Sequence, residues 1–331
     1  MTTLRRALTV PIVTLIEVLL LLTGPLWLVI AALVAIGTRS SRPVRTVALV
    51  LAYAVIELRL LRRILGGEPD WDALLPEVLD SAYRTMRRIL DVRVVLEDGS
   101  ATAERLATGN PIVVLARHCG PGDSLFIAWL LSVRYQFRLS VVLKSLLRLE
   151  PAVDLAGDHL PLCFVGHRGA RSRDRVKDLA GTMLGGDALL LFPEGGNFSW
   201  PRWHLALTRL AATGAYAALR RARRRTHTLP PHRGGAFAAL AGAPTADVLL
   251  LAHTGFAPDG RNRPWWRLPV HRCLEMRTTL VPGATVPRSA EELPGWLENA
   301  WSQVDTWVSD HTVDDPEADA IAEDPTKKPG T

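Results

Sequence analysis

The chain has 331 residues, enough for one sizeable α/β domain with appendages, and 48% of them are hydrophobic against 22% charged. A formal net charge of +6 raises nucleic acid as a partner, but no zinc-finger spacing, RNA-binding aromatic motif or helix-turn-helix signature accompanies it, so that class is set aside. Cys119, Cys163 and Cys273 are odd in number and widely spaced, which excludes a disulfide framework or a zinc site and reads as free thiols in a reducing compartment.

The apolar excess is concentrated at the N-terminus. From Leu8 to Thr38 the only charge is Glu17, and the stretch exceeds the roughly 20 apolar residues that cross a hydrocarbon core. A second apolar stretch, Val47 to Leu61, follows Arg39, Arg42 and Arg45, so the segment reads as retained rather than as a cleaved signal. Gly24-Pro25 in the middle of the first stretch leaves two geometries, a kinked spanning helix or two short helices returning on one side. Basic residues flank both stretches, which favours a membrane-embedded helical hairpin over residues 1–65, integral to the cell membrane, with the remainder on the cytoplasmic face. The arginines of Arg84-Arg87-Arg88 and of Arg220 to Arg225 then find their simplest partner in a membrane surface.

Next comes an amphipathic stretch, Trp71 to Leu90, which lies along the membrane or caps the core. Short β-rich runs follow: Arg93–Leu96, Ile112–Ala116, Leu139–Leu143, Leu162–Val165, Ala188–Phe192, Val248–Ala252 and Cys273–Leu280. Helical patterns over Ser124–Val133, Ser172–Leu184, Leu205–Arg224 and Ala290–Ser309 alternate with most of them. This alternation predicts an α/β fold over residues 66–312, a mainly parallel sheet covered by helices. The acidic tail, 313–331, has almost no large apolar residue and is expected to be disordered.

Ile112–Ala116 ends at Arg117-His118-Cys119-Gly120-Pro121-Gly122-Asp123-Ser124, placing polar groups where α/β sheets carry active sites. If Asp123 begins the next helix, its carboxylate can hold one ring nitrogen of His118, leaving the other to take a proton from a substrate hydroxyl. A helix N-cap is the simpler role for the aspartate. A second strand runs into a turn at Phe192-Pro193-Glu194-Gly195-Gly196-Asn197, about 70 residues on.

With both blocks in this order, the chain from about Asn110 to His253 resembles the lysophospholipid and 1-acylglycerol-3-phosphate acyltransferase superfamily. His118 to Asp123 is similar to its His-x-x-x-x-Asp block, and Phe192 to Gly195 to its Phe-Pro-Glu-Gly block. Val141 to Lys144 looks like its strand ending in lysine, and Cys163-Phe164-Val165 with Arg168 like its arginine block. The resemblance implies a glycerolipid acyltransferase-like fold, with His118 as general base and Asp123 as its orienting partner. It places Glu194 and Gly195 in the acceptor site, and Lys144 and Arg168 near a phosphate. It implies no metal and no cofactor, only acyl-CoA or acyl-carrier protein (acyl-ACP) as co-substrate and membrane lipids as partners. Arg117 stands where the family has asparagine, and Gly196-Asn197 where it has threonine-arginine, while an extra residue before Arg168 makes Arg171 a rival for phosphate contact.

Two other readings remain. Gly122-Asp123-Ser124-Leu125 matches the signature of a lipid esterase family with Ser124 as nucleophile, but that family's Gly-x-Asn-Asp and Asp-x-x-His blocks are missing. A non-enzymatic membrane scaffold leaves the two polar strand ends as coincidence.

Overall fold

The fold is that of a computed structural model, which describes residues 2–67, 69–120, 122–166, 169–255 and 270–312. The first apolar stretch forms two helices, α1 (Thr2–Leu22) and α2 (Gly24–Thr38), bent by 59° at the break between them. Pro25 has no N–H to continue α1, and the Thr23 carbonyl starts the new helix by accepting from Leu26 and Trp27. Among the described residues no single helix is long and apolar enough to cross a membrane, and α1 with α2 reach that length and composition only as a bent pair. The helix α3 (Arg42–Leu65) packs back against both. At the start of α1, Arg5 and Arg6 approach the buried carboxylate of Asp154 at 2.7 and 3.0 Å, tying the helix to the main domain.

The helix α4 (Trp71–Leu90) begins where the Asp70 side chain accepts from the Asp72 and Ala73 amides. It buries Leu74, Leu79, Tyr83 and Leu90, so of the two expected roles it takes that of covering the core. There follow β1 (Arg93–Leu96), α5 (Ala103–Leu106), β2 (Ile112–Ala116) and α6 (Asp123–Trp129), whose last turn is π-helical over Leu130–Arg134. Then come β3 (Arg138–Lys144), a 3-10 turn at Ser145–Leu149, α7 (Pro151–Ala156), β4 (Leu162–Val165) and α8 (Ala170–Gly181). The chain continues through β5 (Asp187–Leu191), α9 (Trp200–Ala212), α10 (Tyr216–Arg223) and α11 (Arg233–Gly242). It closes with β6 (Asp247–His253), β7 (Cys273–Val281) and α12 (Leu293–His311).

In the described residues the strands form one seven-stranded sheet in the order β1-β7-β6-β2-β5-β3-β4. All neighbours are parallel except β6 and β7. The expectation of a mainly parallel, doubly covered sheet therefore holds. Successive residues of a strand face opposite ways, so Val113 and Leu115 join the layer of α8, α11 and α12, while Val114 and Ala116 join that of α4 and α6. Both faces of β2 being covered, all five of its residues are buried, and its carboxyl end opens at mid-sheet between β5 and β6.

Every expected strand is present within one residue of its expected ends. The helix expected over Leu205–Arg224 is instead two, α9 starting earlier at Trp200 and α10 following a turn at Gly214, whose φ of +68° a continuing helix cannot hold. The last helix starts at Leu293 rather than Ala290, with Pro294 in its first turn. The expected disorder of the acidic tail falls on 313–331, outside the described residues.

Candidate active site

The carboxyl end of β2 delivers Arg117, His118, Cys119 and Gly120 into a turn, and α6 begins at Asp123, after Gly122. Asp123 is fully buried and is no ordinary cap. Its Oδ2 reaches back to accept the amides of Cys119 at 2.7 Å and Gly120 at 2.6 Å, closing the turn on itself. His118 brings Nδ1 to 3.8 Å from the same oxygen, and His253 from the end of β6 brings Nε2 to 3.8 Å. These are ion-pair distances rather than hydrogen bonds. His118 Nδ1 and Asp123 Oδ1 are both buried without a hydrogen-bond partner among the described residues. A shift of about 1 Å pairs His118 with Asp123, the kind of tightening that substrate binding brings to catalytic hydrogen bonds.

The electrostatics suit a base with an ionised partner. Burial opposes ionisation of Asp123, but the imidazoles of His118 and His253 and the Cys119 amide outweigh it and hold its pKa below the usual carboxylate range. Burial pushes His253 down to about 4, with Asp123 pulling it up and Arg117 opposing that, so it is neutral at physiological pH. Its Nε2 donates to the Arg117 carbonyl at 2.8 Å, which fixes the tautomer. Burial also pushes the Cys119 thiol up to about 11, leaving it protonated and a poor nucleophile. Ser124 lies in the first turn of α6, and among the described residues no hydrogen bond joins it to a histidine.

Glu194 is held by backbone amides on both sides. It is 2% exposed, with Oε1 accepting the His118 amide at 3.1 Å and Oε2 the Leu229 amide at 2.9 Å. It thereby joins the ends of β2 and β5 to the segment before α11. Burial pushes its pKa up to about 8, against Arg117 and the two amides. An unfolded carboxyl ionises near 4.5, so the native state holds its proton longer and loses stability as pH rises from 4.5 to about 8. Glu194→Gln points an amide donor at a backbone N–H and is expected to cost about 1–3 kcal/mol in mildly acidic buffer. The gap in Tm between wild type and variant should then narrow as pH approaches 8, which thermal melts across this range will check.

Arg117, wholly buried, donates to the carbonyls of His227, His253 and Thr254, stitching β2 to β6 and to the loop before α11. Gly195 has φ +69°, and a Cβ there would lie 2.8 Å from the His232 ring, so glycine is required twice over. Gly196 and Asn197 turn under Arg202, whose Nη1 donates to the Asn197 carbonyl at 3.1 Å.

Lys144 is exposed at the carboxyl end of β3, and Arg171 is exposed in the first turn of α8, just after β4. Arg171 shares an open cavity of about 780 Å³ with Arg5, Arg148, Arg175 and Phe164, while Lys144 is not part of its lining. Arg148 lies 4.2 Å over the Phe164 ring. With strands about 4.8 Å apart, this basic cavity opens at the same sheet edge as His118, some 10–15 Å along it. Arg168 lies outside the described residues.

Residues missed in the sequence are Arg117, His253 and Arg202. Arg117 departs visibly from the family pattern, and that was the one signal available. His253 is 130 positions from Asp123 and Arg202 five from Asn197, with no spacing rule to connect either pair.

Residues 100–250 match a family model described as Acyltransferase. Among solved structures the chain is similar to the 1-acyl-sn-glycerophosphate (LPA) acyltransferase PlsC from Thermotoga maritima, with a TM-score of 0.55 and 15% sequence identity over 82% of this chain and 98% of that one. At that identity the likeness is one of fold. No curated protein matches the chain.

Proposed function

Since the chain carries a domain of the acyltransferase family and is an acyltransferase, we propose that it moves a fatty acyl chain from acyl-CoA or acyl-ACP to the free hydroxyl of a lysophospholipid, with 1-acylglycerol-3-phosphate as acceptor. The observation that carries this reading is the pairing of His118 with the buried Asp123 at the mid-sheet end of β2. Nε2 of His118 takes the proton of the acceptor hydroxyl as its oxygen attacks the thioester carbonyl. Asp123 offsets the charge of the imidazolium that forms. The tetrahedral oxyanion then collapses, the carbon–sulfur bond breaks, and the thiolate leaves with the proton held by His118. The amides of His118, Cys119 and Gly120 are already taken by Glu194 and Asp123, so stabilisation of the oxyanion falls to the turn at Gly196 and Asn197.

The acceptor's phosphate fits the cavity of Arg5, Arg148, Arg171 and Arg175, with Lys144 at the same edge. The apolar helices α1 and α2, tied by Arg5 and Arg6 to Asp154, would hold this edge at the bilayer on its cytoplasmic face, within reach of a lipid that never leaves the membrane. Steady-state kinetics with a lysolipid panel test the assignment. Arg148→Gln and Arg171→Gln should raise KM for the phosphate monoester acceptor by about 10–100-fold with little change in kcat, since each removes a charge-assisted contact. Equal turnover of an uncharged lipid alcohol, unaffected by either change, would contradict the phosphate acceptor.

A further inference from the structure

Between Gly195 and Ala246 the chain has eight arginines and no acidic residue, although acidic residues make up 33 of the 331. Four of these arginines, Arg220, Arg221, Arg223 and Arg224, crowd the end of α10, and all four are exposed. Among the described residues Arg220, Arg223 and Arg224 meet no carboxylate, while Arg221 stands 3.7 Å from Glu298, which is already paired with the buried Arg225 at 2.8 Å. The patch sits on a firm base. Phe198, Trp200, Trp203, Leu207 and Leu219 give α9 and α10 a small core of their own. The same two helices leave Tyr216 67% and Leu205 48% exposed.

Position supplies the second argument. Both α9 and α10 follow the carboxyl end of β5, the sheet edge at which His118 lies. Through Arg225 and Glu298 they are fastened to α12, on the β6 side. The apolar N-terminal helices are fastened on the other side, through Asp154 of α7 after β3. We propose that the α9–α10 pair is a second membrane contact, binding anionic lipid headgroups and holding the active-site edge against the bilayer from the β6 side. Four exposed guanidinium groups complement a negatively charged surface, and Tyr216 has the amphipathic ring that settles at the headgroup level. An acidic carrier protein has the same charge, but the sheet edge shared with the apolar helices and the exposed Tyr216 and Leu205 favour lipid.

Hydrogen–deuterium exchange of the full chain in nanodiscs tests this without requiring turnover, so it stands or falls apart from the acyl-transfer reading. Because each arginine near an anionic surface contributes on the order of fivefold, amides of 205–224 should exchange at least ~10-fold more slowly in phosphatidylcholine containing phosphatidylglycerol than in phosphatidylcholine alone. High salt should erase the difference, as should Arg220→Gln/Arg223→Gln/Arg224→Gln, a variant whose detergent-phase activity and Tm stay at wild-type values. Equal exchange in the two lipids overturns the proposal. So does protection that appears only when acyl-carrier protein is added, which would make the patch a carrier-docking surface.

Discussion

His118→Ala should lower kcat for acyl transfer by about 10²–10⁴-fold, the usual contribution of a positioned general base, while moving Tm by only a few degrees. The catalytic loss is large because no other group can replace it. Cys119 stays a neutral thiol, His253 is wholly buried with its Nε2 proton given to the Arg117 carbonyl, and Glu194 spends both oxygens on backbone amides. The structural loss is small because the His118 side chain is 19% exposed and its main contact is a tilted approach to the Phe192 ring, centroid to centroid 4.6 Å. Its amide and carbonyl, which hold Glu194 and Phe198, survive the change. Purified wild type and variant, compared by initial rates and thermal melts in one detergent, give both numbers.

Asp123→Asn should come close to the same catalytic loss and, unlike His118→Ala, destabilise the fold. The Asn carbonyl, in the place of Oδ2, can still accept the Cys119 and Gly120 amides, but its NH₂ then sits buried and unpaired at the Oδ1 position, and the neutral group no longer offsets the charge of the His118 imidazolium. Loss of an orienting carboxylate of this kind costs roughly 10⁴-fold in kcat in the best-known triad. The double variant should be no slower than His118→Ala alone, because two residues acting as a unit are not additive. The pH dependence has a definite sign. Asp123 is held below its unfolded pKa of 3.8, so the stability it confers is present above that value and lost as pH falls through the lower native one. Acid melts of Asp123→Asn should lack that portion of the acid transition.

The β-strands were legible because runs such as Ile112–Ala116 and Ala188–Leu191 are apolar throughout and short, as a sheet covered on both faces requires. The break in the Leu205–Arg224 pattern was hidden, since Ala, Leu and Arg on either side of Gly214 all favour helix and a single glycine does not declare its φ. In the site, His118 and Asp123 announced themselves by standing across one turn with four residues between them. Glu194 was found, but its backbone partners were not, because the amide a carboxylate meets depends on a distant segment, here Leu229, 35 positions on. Arg117 and His253 were beyond reach for the same reason: what they touch is fixed by β2 lying beside β6.

The most direct test of the central claim is to incubate wild-type and Ser124→Ala proteins with a palmitoyl thioester and 1-acylglycerol-3-phosphate in detergent, then identify the acyl product by mass spectrometry. The account predicts that both proteins form diacylglycerol phosphate, with one thiol released per new ester. Free palmitate as the only product, abolished by Ser124→Ala, would contradict it and make the protein an esterase.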